Sequence, residues 1–160
     1  MYCDKCGNKL EPKFLEFEGM IPYCNSCNEY KFLKYSTAVS MVILNYERTK
    51  TLLIRQYGSK TYRLVAGYVD KGESLEHALL REMGEEIGRR PIFYTYQKSQ
   101  YFKKSETLIC NFYCILNSED LFPNHEIDDY LWAPLDEAKE LLKDTTLAKD
   151  FFKIYLESGE

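Results

Sequence analysis

The chain has 160 residues, of which 45% are hydrophobic and 29% charged, and its formal net charge is −4 at pH 7. This is the composition of a globular protein. A negative net charge gives the chain no overall attraction to nucleic acid or to an anionic membrane, and no apolar run is long enough for a transmembrane helix. The N-terminal residues lack the apolar region of a secretory signal, so we expect a cytoplasmic protein.

Two Cys-x-x-Cys pairs, Cys3/Cys6 and Cys24/Cys27, lie 17 residues apart near the N-terminus. Each pair lets one tight turn present two sulfur atoms to the same ion, and four thiolates complete the tetrahedral shell of Zn²⁺. In a reducing compartment the pattern favours zinc over disulfides, with free or redox-active thiols as the alternative. We therefore expect residues 1–34 to form a zinc ribbon with one structural zinc ion. Its lysines are offset by acidic residues, which favours a structural or dimerisation role over nucleic-acid binding.

The main domain, residues 35–160, begins with β-prone sequence that predicts three strands. These strands cover Thr37–Tyr46, Thr51–Tyr57 and Thr61–Val65, and the first two form a hairpin around a charged turn. We expect a loop after the third strand, in which Gly67 lets the backbone turn sharply.

A helix is predicted next, over Ser74–Ile87. Ser74 is its expected N-cap, and Gly88 stands where a glycine commonly ends a helix. The later predicted elements are the strands Pro91–Phe102 and Thr107–Leu116 and the helices Leu135–Leu142 and Leu147–Leu156. Thr145 or Thr146 is the expected cap of the last helix.

The first predicted helix carries three carboxylates, Glu82, Glu85 and Glu86, at positions i, i+3 and i+4. This spacing places them on one helix face about 5–6 Å apart at Cβ, where unit charges repel by roughly 3 kcal/mol per pair at an effective dielectric constant of 20. Mg²⁺ relieves such repulsion and typically binds a few carboxylates together with substrate phosphate. We expect this face to look outward and bind a metal, with a solvated acidic face as the alternative. Arg81 can pair with Glu85 or reach back to Glu73.

The segment from residue 67 to residue 89 resembles the Nudix hydrolase signature, G-x5-E-x7-R-E-U-x-E-E-x-G-U, where U is a bulky aliphatic residue. Every fixed position matches, namely Gly67, Glu73, Arg81, Glu82, Glu85, Glu86 and Gly88. Met83 fits the first U position, whereas Arg89 departs from the pattern at the last. The resemblance implies an α/β/α sandwich with a mixed sheet, in the mixed α and β fold class.

The resemblance also implies hydrolysis of a nucleoside diphosphate linked to another group, with Mg²⁺ or Mn²⁺ bound by the three helix glutamates. The carbonyl group of Ala66 or Gly67 adds a ligand, and Glu73 and Arg81 support the ligands. The stretch Glu126–Trp132 resembles the late E-I-(x)n-W element of the family. We therefore expect Glu126 to be a further metal or water ligand, with a solvated loop acid as the alternative.

A zinc ribbon directly before a Nudix domain resembles the bacterial NADH pyrophosphatase group. That group has the stretch S-Q-P-W-P-F-P-x-S after the signature. The counterpart here, Ser99–Ser105, keeps the Ser and Gln, has two other aromatic residues and lacks the prolines. We expect an aromatic pocket for a nucleotide base, with core packing of these rings as the alternative. The candidate substrate-binding residues are Gln100, Tyr101, Phe102, Phe32 and Tyr35.

The substrate implied by this resemblance is an NAD(H)-like dinucleotide, cleaved to two mononucleotides. The alternatives are a Nudix pyrophosphatase acting on ADP-ribose, a nucleotide sugar or a nucleotide-capped RNA end, and a non-catalytic nucleotide sensor or zinc-ribbon adaptor. The intact carboxylate set argues against a sensor, because binding alone does not require all of it. The resemblance suggests a homodimer. We expect neither a membrane nor, apart from capped RNA ends, a nucleic acid as a partner.

Overall fold

The computed structural model describes residues 1–143 and 146–158, and the chain divides into two compact units, Met1–Tyr35 and Ser36–Glu160. The division falls one residue after the one expected from the sequence. Among the described residues, no helix combines the length and apolar character needed to cross a membrane.

The N-terminal unit is a three-stranded antiparallel sheet. Its strands are β1 (Glu11–Leu15), β2 (Gly19–Cys24) and β3 (Glu29–Tyr30), with β2 in the middle. Gly19 begins β2 with a φ of 80°, a left-handed conformation that favours glycine. The buried hydrophobic side chains of this unit, among the described residues, are Cys3, Tyr23 and Cys24. So little apolar burial cannot stabilise a unit of this size, which makes the cysteine site the expected source of its stability.

The larger unit contains a mixed sheet of six strands in the order β7-β8-β4-β5-β9, with β6 also paired to β4. The strands are β4 (Ser36–Leu44), β5 (Lys50–Gln56), β6 (Val65–Tyr68), β7 (Phe93–Phe102), β8 (Thr107–Ile115) and β9 (Ile127–Pro134). β4 and β8 run parallel and the other pairs run antiparallel. The helices are α1 (Leu75–Ile87), α2 (Leu135–Leu141) and α3 (Leu147–Ser158), and a short 3₁₀ turn covers Lys103–Ser105.

Helices cover both faces of the sheet, so the central strand β4 is buried on both sides. Val39, Met41 and Ile43 pack in one core with α1. Val42 and Leu44 pack in a second core with side chains of α2 and α3. Successive residues of a strand point to opposite faces, and both faces of β4 are therefore apolar. The predicted α/β/α sandwich with a mixed sheet is confirmed.

One long edge of β4 is shared by two partners. β5 pairs with β4 only at Leu44 and Thr51, whereas Val65–Tyr68 of β6 pairs with Ala38–Met41. β4 and β5 therefore form the predicted hairpin only next to the turn that joins them. The predicted strand Thr61–Val65 was placed too early, because long-range pairing with β4 outweighs the low strand propensity of the Ala-Gly step in β6.

The capping predictions hold at α1 and at the start of α3. The Ser74 side chain accepts a hydrogen bond from a backbone N–H in the first turn of α1, and Gly88 ends that helix with a φ of 64°. At α3, the backbone N–H of Lys149 donates to Thr146 Oγ1 at 3.4 Å. Thr145, the other candidate cap, lies outside the described residues.

Candidate active site

The four cysteines predicted to bind zinc lie together in the N-terminal unit. Their sulfur atoms are all within 4.8 Å of one another, with 3.9 Å between Cys3 and Cys27 and 3.5 Å between Cys6 and Cys24. Four thiolates at about 2.3 Å from a tetrahedral Zn²⁺ lie about 3.8 Å apart. The donor set therefore fits one structural zinc ion.

The two cysteine turns are built alike. The N–H of Gly7 donates to the carbonyl of Cys3 at 2.9 Å, and the N–H of Asn28 donates to that of Cys24 at 2.8 Å. Gly7 and Asn28 both have positive φ, of 74° and 58°. Glycine and asparagine tolerate this conformation best, so each turn can close around its two sulfur atoms.

The three glutamates of α1 occupy different environments. Glu82 and Glu86 are 9% and 4% exposed, whereas Glu85 is exposed to solvent. The expectation that the acidic face looks outward was wrong for the two buried carboxylates. They border the apolar stripe by which α1 packs on the sheet, so packing of the helix buries them as well.

Gly67 lies in β6, opposite Glu82. A Cβ atom placed on Gly67 would be closer than 3.0 Å to all three atoms of the Glu82 carboxyl group. The backbone of Gly67 is that of a strand paired with Val39, so the expected sharp turn was wrong. The glycine is needed because the Glu82 carboxylate fills the space that a side chain would take.

Arg81 connects the loop before α1 to the helix glutamates. Its Nε and Nη2 atoms each donate to a different oxygen of Glu73 at 2.9 Å. Its Nη1 atom donates to Glu82 at 2.7 Å and to Glu85 at 3.4 Å. Arg81 Nη2 also donates to the carbonyl of Tyr68 in β6 at 2.8 Å. Both predicted partners of Arg81 are therefore engaged at once. The Arg81 guanidinium lowers the pKa of Glu73 to about 2.

Glu86 is the more deeply buried of the two buried carboxylates. Gln56 Nε2, at the end of β5, donates to Glu86 Oε2 at 3.2 Å. Burial, together with the nearby charges of Glu82 and Glu126, raises the pKa of Glu86 to about 8. Burial likewise raises the pKa of Glu82. A divalent cation bound beside these two carboxylates would stabilise their charged forms.

Glu126 approaches the same place from the loop before β9. Its carboxylate accepts a hydrogen bond of 2.8 Å from the hydroxyl group of Tyr57, which follows β5. Trp132, the other residue of the late motif, lies inside β9, and its indole N–H donates to the carbonyl of Glu119 at 2.9 Å. Of the two residues of this motif, Glu126 therefore lies in the same cavity as the α1 glutamates, whereas Trp132 binds a backbone carbonyl group outside that cavity.

The three glutamates of α1 and Glu126 line one cavity of about 460 Å³. Ala66 and Gly67 of β6 line it as well. The sequence predictions missed the lining residues Gln56, Tyr57, Asp70 and Thr107, whereas Ser105, which also lines the cavity, ends the segment Ser99–Ser105 compared above with the NADH pyrophosphatase stretch. Gln56 could have been identified from the sequence, because it is a polar residue at the end of an apolar strand. Thr107 reaches the cavity through the pairing of β8 with β4, which no local pattern reveals.

The five predicted substrate-binding residues are not among the described residues that line this cavity. Gln100, Tyr101 and Phe102 end β7, the outermost strand of the sheet, with Tyr101 47% and Phe102 37% exposed. Phe32 and Tyr35 belong to the N-terminal unit and are exposed there. Their role in substrate binding stays a prediction.

The chemistry of the cavity fits a hard divalent cation. Four glutamates and Asp70 line it, and carboxylate oxygens are the ligands that Mg²⁺ and Mn²⁺ prefer. Within the described part of the chain, only the cysteines have three or more ligand atoms all within 4.8 Å of one another. The glutamate oxygens are more widely spaced, and Arg81 holds those of Glu82 and Glu85. Glu85 is exposed and therefore has the freedom to turn toward an ion.

Residues 34–155 match the family model of the NUDIX domain. The chain belongs to the Nudix family. This membership confirms the predicted family and supports the predicted enzyme class, a Nudix pyrophosphohydrolase. Metal dependence is typical of Nudix enzymes, so family membership agrees with the glutamate-lined cavity being suited to a divalent cation.

Curated relatives and solved structures agree with this membership. The chain is 27% identical over 158 residues to the NAD-capped RNA hydrolase NudC of Pseudomonas aeruginosa, covering 97% of this chain and 55% of that protein. It is 28% identical over 151 residues to the chloroplastic Nudix hydrolase 19 of Arabidopsis thaliana, covering 88% of this chain and 34% of that protein. The chain thus spans about half the length of the bacterial relative and about a third of the length of the plant relative.

Two solved structures share the fold. A NUDIX hydrolase from Nitrosomonas europaea has a TM-score of 0.69 and 20% identity, covering 98% of this chain and 90% of that one. The NUDIX domain of Shewanella oneidensis NrtR, complexed with ADP ribose, has a TM-score of 0.67 and 16% identity, covering 86% and 94% of the two chains. At these identities the likeness shows the fold alone.

Proposed function

We propose that this chain is a metal-dependent hydrolase that cleaves the diphosphate linkage of an NAD(H)-like dinucleotide to two mononucleotides. The observation that carries the proposal is the convergence of four carboxylates, on α1 and before β9, in one cavity. Relatives named NAD-capped RNA hydrolase support a dinucleotide of this kind as the substrate.

In this proposal Glu82, Glu85, Glu86 and Glu126 bind Mg²⁺ or Mn²⁺, with a carbonyl group of Ala66 or Gly67 as a further ligand. An ion held there would supply positive charge against the diphosphate and make a water molecule more acidic. A carboxylate of the cavity would accept the proton of the attacking water as the general base.

Arg81 and Glu73 act as positioning residues. The bidentate contact between them ties the loop before α1 to the helix. From this fixed position Arg81 holds the carboxylate of Glu82 at 2.7 Å. Gln56 holds Glu86 from the other side of the cavity. These contacts fix the orientation of two buried ligands before substrate arrives.

We further propose that residues 1–34 form a zinc ribbon and residues 35–160 the catalytic domain, in a cytoplasmic homodimer. The boundary between the two compact units and the start of the family match at residue 34 support the division. The clustered cysteines support a structural zinc ion as the resident metal of the first unit.

The nucleotide-capped end of an RNA is the second candidate substrate. The bacterial relatives named NAD-capped RNA hydrolase favour it, and an NAD cap contains the same diphosphate linkage as the free dinucleotide. The net charge of −4 gives the chain no general attraction to the rest of an RNA. Recognition would therefore concentrate on the cap.

The test is a substrate panel with Mg²⁺ or Mn²⁺ and with a chelator, read out as released mononucleotides by chromatography. The panel contains NAD, NADH, ADP-ribose, a nucleotide sugar and an NAD-capped RNA. We expect metal-dependent release of mononucleotides from NAD or NADH at the highest kcat/KM. A higher value for another member would replace the proposed substrate, and binding without turnover of any member would favour the nucleotide sensor.

A further inference from the structure

Four successive residues at the end of β5 and just after it each donate a hydrogen bond to a carboxylate. These donors and their acceptors are Arg55 with Asp129, Gln56 with Glu86, Tyr57 with Glu126, and the backbone N–H of Gly58 with Asp128. Three of the acceptors lie in residues 126–129, where β9 begins, and the fourth lies on α1. The end of β5 thus joins the two parts of the chain that supply glutamates to the cavity.

A β-bulge decides which residue of this segment comes opposite Tyr57. The pairs on either side of the bulge are Arg55 with Asp129 and Gln56 with Ile127. The extra residue of β9 is therefore Asp128, and it shifts the register of the strand by one position. Without the bulge, continued pairing would place Ile127 opposite Tyr57. The bulge instead brings Glu126 to this position, where its carboxylate accepts the hydrogen bond from the Tyr57 hydroxyl group at 2.8 Å.

Tyr57 has a backbone conformation that is unfavourable for its residue type. The N–H of Ser59 donates to the carbonyl of Gln56 at 3.0 Å, which closes a tight turn around Tyr57 and Gly58. Both central residues have positive φ, of 53° at Tyr57 and 70° at Gly58. Positive φ at both positions is the pattern of a type I′ turn, whose first central residue is usually Asn, Asp or Gly. A tyrosine at this position indicates that its side chain has a role that the turn alone does not require.

Burial of the Tyr57 ring does not account for this tyrosine, because the residue is 72% exposed. Its contact with Glu126 complements contacts that hold the loop of Glu126 from the other side. The N–H of Asn124 donates to the carbonyl of Glu86 at 2.9 Å, and the N–H of Glu126 donates to Asn124 Oδ1 at 3.0 Å. The Asn124 contacts fix the backbone of the loop, whereas the Tyr57 hydroxyl group fixes the carboxylate.

We propose that Tyr57 is a positioning residue, which orients the Glu126 carboxylate toward a divalent cation held by the glutamates of α1. The hydrogen bond from Tyr57 occupies Oε2 of Glu126 and leaves its other oxygen for the cation. The inference rests on the proposed metal-dependent hydrolase and goes further, because it assigns a role to a residue outside the Nudix signature. It does not depend on which diphosphate is the substrate.

The first experiment measures Mn²⁺ binding to the full chain without substrate, from the electron paramagnetic resonance signal of the free ion. Tyr57→Phe keeps the ring and the backbone but removes the hydroxyl group. Loss of a group that orients a metal ligand typically changes metal affinity by about 10–100-fold, so the Kd for Mn²⁺ should rise by about 10-fold or more. Tyr30→Phe is the matched control, because its hydroxyl group also donates at 2.8 Å, to the carbonyl of Phe14 in the N-terminal unit. This control should leave the Kd unaltered.

Tyr57→Asn separates this role from a structural one. Asparagine suits the first central position of a type I′ turn, but its short side chain does not reach as far as the tyrosine hydroxyl group. The variant should therefore melt at or above the wild-type temperature, while its Kd for Mn²⁺ rises as in Tyr57→Phe. A lower melting temperature with unchanged Mn²⁺ binding would show that Tyr57 only supports the turn, and would overturn the proposal.

Glu126→Ala tests whether Tyr57 acts through Glu126. Adding Tyr57→Phe to Glu126→Ala should raise the Kd for Mn²⁺ no further, because the carboxylate that the hydroxyl group orients is already absent. If the two changes instead multiply their effects on the Kd, Tyr57 acts independently of Glu126 and the proposal is overturned.

The outcomes separate this inference from the proposed function. If NAD is cleaved but wild type and Tyr57→Phe bind Mn²⁺ equally, the role of Tyr57 is overturned and the proposed function stands. If Mn²⁺ binding depends on Tyr57 but another diphosphate is cleaved in place of NAD, the proposed substrate fails and the role of Tyr57 stands. Wild-type protein that binds no Mn²⁺ would overturn both.

Discussion

Gly67→Ala is the most direct test of how the glutamate-lined cavity is built. The added Cβ would lie closer than 3.0 Å to the Glu82 carboxyl group, whereas ordinary carbon contacts are at about 3.5–4.0 Å. The carboxylate therefore has to move by roughly 1 Å or more, away from its 2.7 Å contact with Arg81. Misplacing a reactive group by about 1 Å can cost roughly 10²-fold in rate, and forcing extra volume into a packed site costs about 1–3 kcal/mol of stability.

The assay is kcat/KM for the best substrate of the panel, together with the free energy of unfolding from denaturant titration. Gly84→Ala is the control, because Gly84 lies on α1 and a Cβ there meets nothing within 4 Å. That change should raise stability by about 0.5–1 kcal/mol and leave the rate unaltered. Adding Glu82→Ala to Gly67→Ala removes the clash, so the two stability changes should not be additive. Wild-type activity for Gly67→Ala, or additive stability changes, would refute this explanation of the glycine.

Three further predictions concern single side chains. Glu86→Gln should lower turnover by roughly 10²–10⁴-fold, whereas Glu76→Gln, the same change on the same helix outside the signature, should leave turnover unaltered; equal rates for both would count against the proposed metal site. Cys24→Ser should release zinc and unfold the N-terminal unit, and native protein without zinc by elemental analysis would contradict this. Glu73→Gln should destabilise the protein above about pH 4.5, and the difference from wild type should vanish as the pH falls toward 2, because Arg81 lowers the pKa of Glu73 to about 2 in the folded state. Denaturant titration at several pH values measures that difference, and one that persists at pH 2 would rule out the charged contact as its source.

Local spacing predicted the parts of the site that lie within one element. The i, i+3 and i+4 positions of Glu82, Glu85 and Glu86 placed them on one face of α1, and the Cys-x-x-Cys spacing identified the sulfur cluster. The glutamate prediction depends on the geometry of one helix, and each Cys-x-x-Cys pair depends on the geometry of one tight turn, both of which sequence specifies directly.

The parts that could not be predicted depend on which elements pack together. The sequence alone does not say that β6 covers Glu82, and the role of Gly67 follows only from that packing. In the same way, Gln56 reaches Glu86 from a strand 30 residues earlier in the chain. Such contacts arise from strand pairing and layer packing, and local propensity does not determine either.

The parallel pairing of β4 with β8 has a consequence for the order of folding. Ser36 pairs with Thr107, 71 residues later, and both β6 and α1 lie in the segment between them. Closing so long a loop is entropically slow, and sheets with such distant partners fold later than local structure. We expect α1 to form as a solvated helix before that loop closes. Pulse-labelled hydrogen exchange should therefore protect the amides of α1 before those of β4, and simultaneous protection would contradict this order.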